Sequence, residues 1–473
     1  VTACVPEPEA GLGLQNPYIE RAVTAKPAST FAQRALEPAA WREPLAVLAS
    51  FAEEPWALGL ISDGSARGRW SYLGWNPSLT FDSLAAWRAA TPSPEPLEAA
   101  VSDHPPFQGG AAGLACYEWG AAQEPAMPQG RSSWPDLAGG LYDKLLAFDH
   151  HLKRVWAIGR GATDAEARTR ADQALERLRA NGPPPAPARA SDFRAVIPGQ
   201  AHQAAVGAVV AAIGRGDLFQ ANIARPWAGR LEPGCTPFDV LARLARESPA
   251  PFAGYLRLPK SCGHGRAVVS NSPERFIEVT AEGQAQTRPI KGTRPRGESP
   301  VEDRYLAEEL LASPKDRAEN LMIVDLMRND LARACRPGTV KVEAFCALET
   351  FANVHHLVST VTGVLKPGLG ALDLFAEAFP AGSITGAPKI QAMREIARRE
   401  TPRGPYCGSL FWAGFDGAFD SSVLIRTLAF EEDAEGWTFE TRAGGGITAD
   451  SDPADEDAEA EAKIDAIRRA LTA

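Results

Sequence analysis

Apolar residues recur at helical spacing between Gln200 and Arg215, where Val206, Val209, Val210 and Ile213 fall at i, i+3, i+4 and i+7. The spacing predicts a helix that ends at Gly214 and Gly216 and leads into "DLFQANIARPW". Ser313-Pro314-Lys315-Asp316 has the form of an N-cap, a proline at the first helical position and an acid closing a capping box. A second helix is therefore expected through "KDRAENLMIVDLMRNDLARA". A third should begin at Asp452-Pro453 and end in "IDAIRRAL", and a further helical stretch lies near 162–180. Strand-like runs are "RWSYLGW" (69–75), "RAVVSNSPERFIEV" (266–279), "SSVLIRTLAF" (421–430) and "GWTFETRA" (436–443). Helices and strands mix without strict βαβ alternation, which favours an α+β fold over a doubly wound sheet.

One break in composition interrupts this pattern. "ANGPPPAPARAS" at 180–191 is too rich in Pro and Ala for a packed element and reads as an extended linker or surface crossing. Taking the linker as 181–192 leaves an N-terminal region, 1–180, and a motif-dense region, 193–473. A chain of 473 residues is long enough for two or three domain-sized units or one large enzyme. With 49 basic and 59 acidic residues the formal net charge is −10, which argues against a nucleic-acid partner. The longest apolar runs, such as "AVGAVVAAIG" at 205–214, are about half of the roughly 18 residues that span a bilayer. The opening "VTACVPEPEAG" is unlike a signal or transit peptide, so the cytoplasm is the expected compartment. Seven scattered cysteines without C-x-x-C pairing read as reduced packing residues.

Three features carry possible chemistry. Asp316 and Glu319 lie at i, i+3 on one predicted helix, and Glu456 and Glu459 lie at the same spacing on another, with Lys463 four residues on. Four converging oxygen donors would suit Mg²⁺, although acids near a helix start also stabilise the helix dipole. "GSITGAPK" (382–389) and "AGGGI" (443–447) could let a ligand approach the backbone, or could be simple turns. Glu274 in "SPERF" stands seventeen residues before Lys291, is expected on a neighbouring strand, and could form an acid and nucleophile pair or a salt bridge with it. Lys291 sits in "RPIKGTRPRG" (288–297), which by its turns and its three arginines reads as a basic loop. His356, beside apolar residues, fits a hydrogen-bonded core group as well as a catalyst.

The run of "GDLFQANIAR", "SNSPERF", "TRPIKGTRPR", "SPKDRAENLMIVDLMRNDLAR", "VHHLVSTVTG", "FPAGSITGAPK", "YCGSL", "IRTL" and "GGGITADSDP" resembles the chorismate-utilising enzymes, most closely their aminodeoxychorismate synthase component I branch. The resemblance covers about 193–471 and is looser before 181. It implies a four-layer α/β/β/α sandwich of two large sheets, with the active site in a cleft between them and no independent folding unit on either side of the linker. It implies chorismate as substrate and Mg²⁺ held by Glu319 and Glu459, with Asp316 and Glu456 assisting. Arg426, Tyr406, Lys463 and the backbone at Gly444, Gly445 and Gly446 would bind the carboxylates, and Thr385 and His356 would line the ring.

The resemblance also bears on the reaction. Water-adding members carry a lysine where this chain has Gln220, and anthranilate synthases typically carry alanine at the position of Lys291. A lysine there implies attack by its amine at ring carbon C2, loss of the C4 hydroxyl with Glu274 as general acid, and ammonia addition at C4. The product would be 4-amino-4-deoxychorismate, on the route to p-aminobenzoate and folate. Ammonia would come from a separate glutamine amidotransferase subunit in a heterodimer. After "ADSDP" the family's usual aromatic and Glu-Thr pair is replaced by "ADEDAEAEAK", which offers Glu461 as an alternative acid. The competing readings are an anthranilate-type synthase and a catalytically silent chorismate-binding homologue.

Overall fold

Alternation along the strands sorts most of the apolar side chains into three large interiors. In the computed structural model, which describes residues 31–91, 103–124, 127, 130, 132–261, 264–350 and 354–472, Leu145 and Ala147 belong to one buried cluster and Leu146 and Phe148 to another. Trp156 and Ile158 likewise part from Val155 and Ala157. A strand with apolar groups on both faces must be covered on both faces. The middle cluster joins Tyr72, Leu256 and Val268 of one sheet to Leu114, Leu410 and Trp412 of the other. Outside it, helices Asp164–Arg179, Pro237–Glu247 and Pro453–Thr472 pack on the larger sheet, burying Leu178, Phe238 and Leu471. Helices Leu84–Ala90, Pro314–Ala334 and Ala371–Ala378 cover the smaller, burying Trp87, Met327 and Leu374. The result is a four-layer α/β/β/α sandwich with sheets of twelve and ten strands.

Strands from before and after residue 181 are neighbours in both sheets. Leu58–Ile61 pairs antiparallel with Phe252–Ser261 in the larger sheet, and Gly110–Ala115 pairs with Ser409–Gly414 in the smaller. The Pro/Ala-rich stretch between them runs over the helical surface, where Ala186 donates its N–H to Asp239 Oδ1 at 2.6 Å and Ala188 is buried.

Two expected strands are each divided. The run 266–279 is two strands, His264–Ser272 in the larger sheet and Arg275–Val279 in the smaller. Pro273 has no N–H to continue a ladder, so the chain changes sheets there. The run 421–430 divides in the same way, into Phe419–Ser422 and Thr427–Asp433, with Arg426 in the left-handed region at φ 52°. The two crossings lie side by side. Val423 N–H donates to Glu274 O at 3.0 Å, Ser272 Oγ donates to Val423 O at 2.6 Å, and Asn271 N–H donates to Arg426 O at 3.0 Å. Glu274 thus sits on a crossing between sheets and not, as expected, on a strand next to that of Lys291.

The basic "loop" is a strand, Ile290–Pro295, paired with Val354–Val364 and bulged at Gly292, φ 81°. Its arginines are consumed by acids: Arg288 by Glu349, Arg294 by Glu309 at 3.0 Å, and Arg296 by Asp303 at 2.7 Å. The expected capping box at Ser313 is half formed. Ser313 Oγ accepts from Asp316 N–H at 3.3 Å, while its own N–H goes to Leu310 O and leaves the Asp316 carboxylate free for Arg294 at 3.4 Å. Of the cysteines, Cys4 and Cys262 lie outside the described residues; the other five are free thiols. Among the described residues no helix is long and apolar enough to cross a membrane.

Candidate active site

The two crossings open a cleft of about 630 Å³ between the sheets. Glu274 and Arg426 enter it from the crossings, Lys291 from the bulged strand, and His356 from the strand beside it. The first two turns of Pro314–Ala334 supply Asp316 and Glu319. The first three turns of Pro453–Thr472 supply Glu456, Glu459 and Lys463, and Tyr406 closes one side. Gly444, Gly445 and Gly446 line the cleft from within the long strand Gly436–Ile447, so the glycine run is not a turn. A Cβ on Gly445 would meet Glu456 Oε2 at 2.8 Å, and one on Gly446 would stand 1.9 Å from Gln220 Nε2 and 3.5 Å from Lys291 Nζ. Glycine at these positions leaves room for the Glu456 carboxylate and the Gln220 amide against the strand.

Thr385 is the one expected site residue that the structure keeps out of the cleft wall. It is fully buried, its hydroxyl donates to Ala381 O at 3.1 Å, and its carbonyl accepts from Asn222 N–H at 2.8 Å. Glu461 is likewise elsewhere, held by Arg225 at 2.7 Å and Arg468 at 2.8 Å. Three helical turns explain the sorting: Glu456, Glu459 and Lys463 share a face that Glu461 does not. Sequence reasoning missed Ser383, which hydrogen-bonds the Glu274 carboxyl, and Asn222, Lys315 and Arg294, which also line the cleft. Asn222 had one legible signal, its place two residues after Gln220 on the same strand face.

Among the described residues three cations that line the cleft, Lys291, Lys315 and Arg426, stand without anionic partners. Neither the Lys291 amine nor the Arg426 guanidinium has a hydrogen bond or ion pair among the described residues. Burial lowers the pKa of Arg426, although its surface remains open to the cleft. Burial also raises the Glu274 carboxyl, with the Ser383 hydroxyl and Lys291 opposing. His356 is pushed down to about 4 by burial and then by Arg426, so it is neutral at pH 7. Its Nδ1 lies 2.9 Å from Thr293 Oγ1.

The acids were expected to hold a metal. Among the described residues no three His, Cys, Asp or Glu side chains are gathered as a formed metal cage. Glu459 instead pairs with Lys463 Nζ at 2.5 Å, and the same amine donates to Gly444 O at 2.8 Å. Lys463 therefore lines the cleft while its amine is engaged by an acid and a carbonyl. Glu456 accepts from Ser451 Oγ at 2.7 Å. Glu319 is nevertheless raised by burial and, further, by Asp316 and Glu456, against Lys291 and Lys315. Acids on two helices that feel one another across a cleft are a donor set that suits a hard divalent cation.

A family model described as chorismate binding enzyme matches residues 61–469. Aminodeoxychorismate synthase component 1 of Salmonella typhimurium is 41% identical over 375 residues, 77% of each chain. Anthranilate synthase component 1 of Streptomyces coelicolor is 38% identical over 442 residues, 87% of this chain and 83% of that one. The crystal structure of anthranilate synthase component I from Streptococcus pneumoniae superposes with a TM-score of 0.71 at 27% identity, covering 84% of this chain and 92% of the other.

Proposed function

The chain belongs to the chorismate binding enzyme family, and from that premise we propose that it is an aminodeoxychorismate synthase component that aminates chorismate at ring carbon C4 through Lys291. The observation that carries this reading is the unpaired Lys291 amine in a cleft shared with a buried carboxyl, Glu274, and an unpaired guanidinium, Arg426. An amine held by a carboxylate would be a structural cation. One left open to a concave site is a candidate nucleophile.

Arg426 takes one substrate carboxylate, assisted by the Tyr406 hydroxyl and by backbone N–H groups of the glycine strand. Lys291 Nζ attacks C2, the ring double bonds shift, and the C4–O bond breaks. Glu274, whose protonated form is favoured by burial, gives its proton to the departing hydroxyl, which leaves as water. Ammonia then attacks C4, the double bonds return, and the C2–N bond breaks to release the lysine. The surplus proton on the new amine passes to the Glu274 carboxylate, so the enzyme is restored. Bound Mg²⁺ would offset the charge of the ring carboxylate beside Glu319 and Glu459, with Asp316 and Glu456 as further oxygen donors.

The name "component 1" borne by the Salmonella relative supports a partner. We assign that role to a separate glutamine amidotransferase subunit that supplies ammonia, in the cytoplasm and on the route to p-aminobenzoate and folate. A second reading, C2 amination of the anthranilate type, is favoured by the larger share of the chain matched by the Streptomyces coelicolor relative. Incubation with chorismate, ammonium and Mg²⁺ decides between them by the mass and retention of the product. Anthranilate as the sole product would overturn the C4 reading.

A further inference from the structure

Two carboxamide oxygens beside the cleft have no donor. Asn222 is 7% exposed and lines the cleft, and its Oδ1 lacks any hydrogen-bond partner among the described residues. Gln220, two residues earlier on the same strand face, is 1% exposed and its Oε1 is also without one. Buried acceptors in native proteins almost always find a donor, so two on one face imply a donor that is not part of the chain.

Asn222 is held where it is. Its N–H donates to Thr385 O at 2.8 Å, and its carbonyl accepts from Arg403 Nη2 at 2.8 Å. Arg403 is itself fastened to Glu400 at 2.8 Å and to Ile384 O at 3.1 Å, and Glu400 accepts from Ala224 N–H at 2.8 Å on the same strand as Asn222. These bonds fix the backbone from which the side-chain amide projects. A buried acceptor carried on a fixed backbone at the cleft wall is a site for a donor-bearing ligand.

The ligands of the proposed reaction differ sharply as donors. Chorismate offers only its C4 hydroxyl, whose bond to carbon must break and whose oxygen must be protonated by Glu274. Ammonia offers three N–H donors and one lone pair. An acceptor that takes its N–H groups leaves the lone pair pointing away, toward the ring. The cations of the cleft, Lys291, Arg426 and Lys315, cannot do this, because they have only donors to give.

We propose that Asn222 Oδ1, with Gln220 Oε1 beside it, seats the incoming ammonia for its attack at C4. The proposal rests on the C4-amination reading and adds to it a residue that acts after the covalent adduct has formed. It predicts that the two half-reactions separate. In Asn222→Leu, which removes the acceptor at similar volume, KM for ammonium should rise about tenfold, the loss of one neutral hydrogen bond. Adduct formation on Lys291 from chorismate alone, followed by intact-protein mass, should stay within about twofold of the parent. Asn222→Asp, which keeps an acceptor oxygen in place, should return KM for ammonium to within about threefold of the parent value. An unchanged ammonium KM in Asn222→Leu, with adduct formation intact, would overturn the proposal. So would slowed adduct formation with unchanged ammonium KM, which would place Asn222 on the C4 hydroxyl. Should leucine fail to fold, Asn222→Ala carries the same comparison. Absence of any adduct in the parent enzyme would instead refute the amination reading itself.

Discussion

Replacing Lys291 with alanine removes a cation that neutralises no acid through a direct ion pair among the described residues. The cost to the fold is therefore confined to the packing of a half-buried aliphatic stem, about 1–2 kcal/mol, with a Tm change of no more than about 3 °C. The cost to the reaction is of a different order. If the amine forms the C2 bond, its loss should lower the rate of C4 amination by about three orders of magnitude, or ~4 kcal/mol of barrier. Binding through Arg426 should persist, so KM for chorismate should move far less than kcat. The vacated space also admits ammonia to C2, and traces of C2-aminated product or anthranilate should appear by chromatography with mass detection. Lys291→Arg should not restore activity, because a guanidinium stays protonated. With ammonia withheld, the parent enzyme should carry a chorismate-derived adduct on Lys291. An alanine variant that makes the C4 product at the parent rate would reduce Lys291 to a surface-strand cation and end the nucleophile argument.

Glu319→Gln should weaken the Mg²⁺ dependence of turnover while leaving Tm equal or slightly higher, since it removes one of several mutually repelling acids; a magnesium titration identical to that of the parent would contradict the metal assignment. Glu274 has a carboxyl raised in the fold, so its favourable protonated state is present at low pH and lost as pH rises through the raised value. Turnover should fall along that alkaline limb, and Glu274→Gln should be inactive yet more thermostable than the parent above the limb, with the two converging at acid pH. A parent and variant whose Tm values differ equally at all pH values would show that burial does not perturb this group. The single chain should use free ammonia but not glutamine until a separate amidotransferase is added, and glutamine turnover by the purified chain would contradict this.

Local signals carried the helices well, because caps and periodicity are properties of neighbouring residues. Ser313-Pro314 does begin the helix Pro314–Ala334, and Val206 and Val209 are buried on Gly199–Gly214 as their spacing requires. The crossings were not legible from periodicity. A run such as 266–279 stays apolar and β-branched on both sides of Pro273, and nothing local tells that the two halves belong to different sheets. Lys291 was hidden for a related reason: turn-forming residues around it mark a bulged strand as readily as a loop. The motif resemblance brought Glu274, Lys291, Arg426 and the acids together, where spacing alone left each with a bland alternative. It set Thr385 at the ring, whereas the structure bonds that hydroxyl to Ala381 O in its own turn, and it gave Lys463 to a substrate carboxylate, whereas the i, i+4 spacing pairs it with Glu459.

The hydrogen bonds that join the two crossings have a mechanical consequence. The acid and the guanidinium are mounted on adjacent rungs of one backbone hinge, while the lysine stands on a separate strand and the remaining acids on helices of opposite outer layers. Sliding of one sheet over the other would change the width of the cleft and the reach of the lysine, but it would carry Glu274 and Arg426 together. The distance between Glu274 and Arg426 is thereby set by bonds between the crossings, and the distance from either to Lys291 is not. On the proposed reaction, any shift between the layers would act on the one spacing that a bond to Lys291 would need.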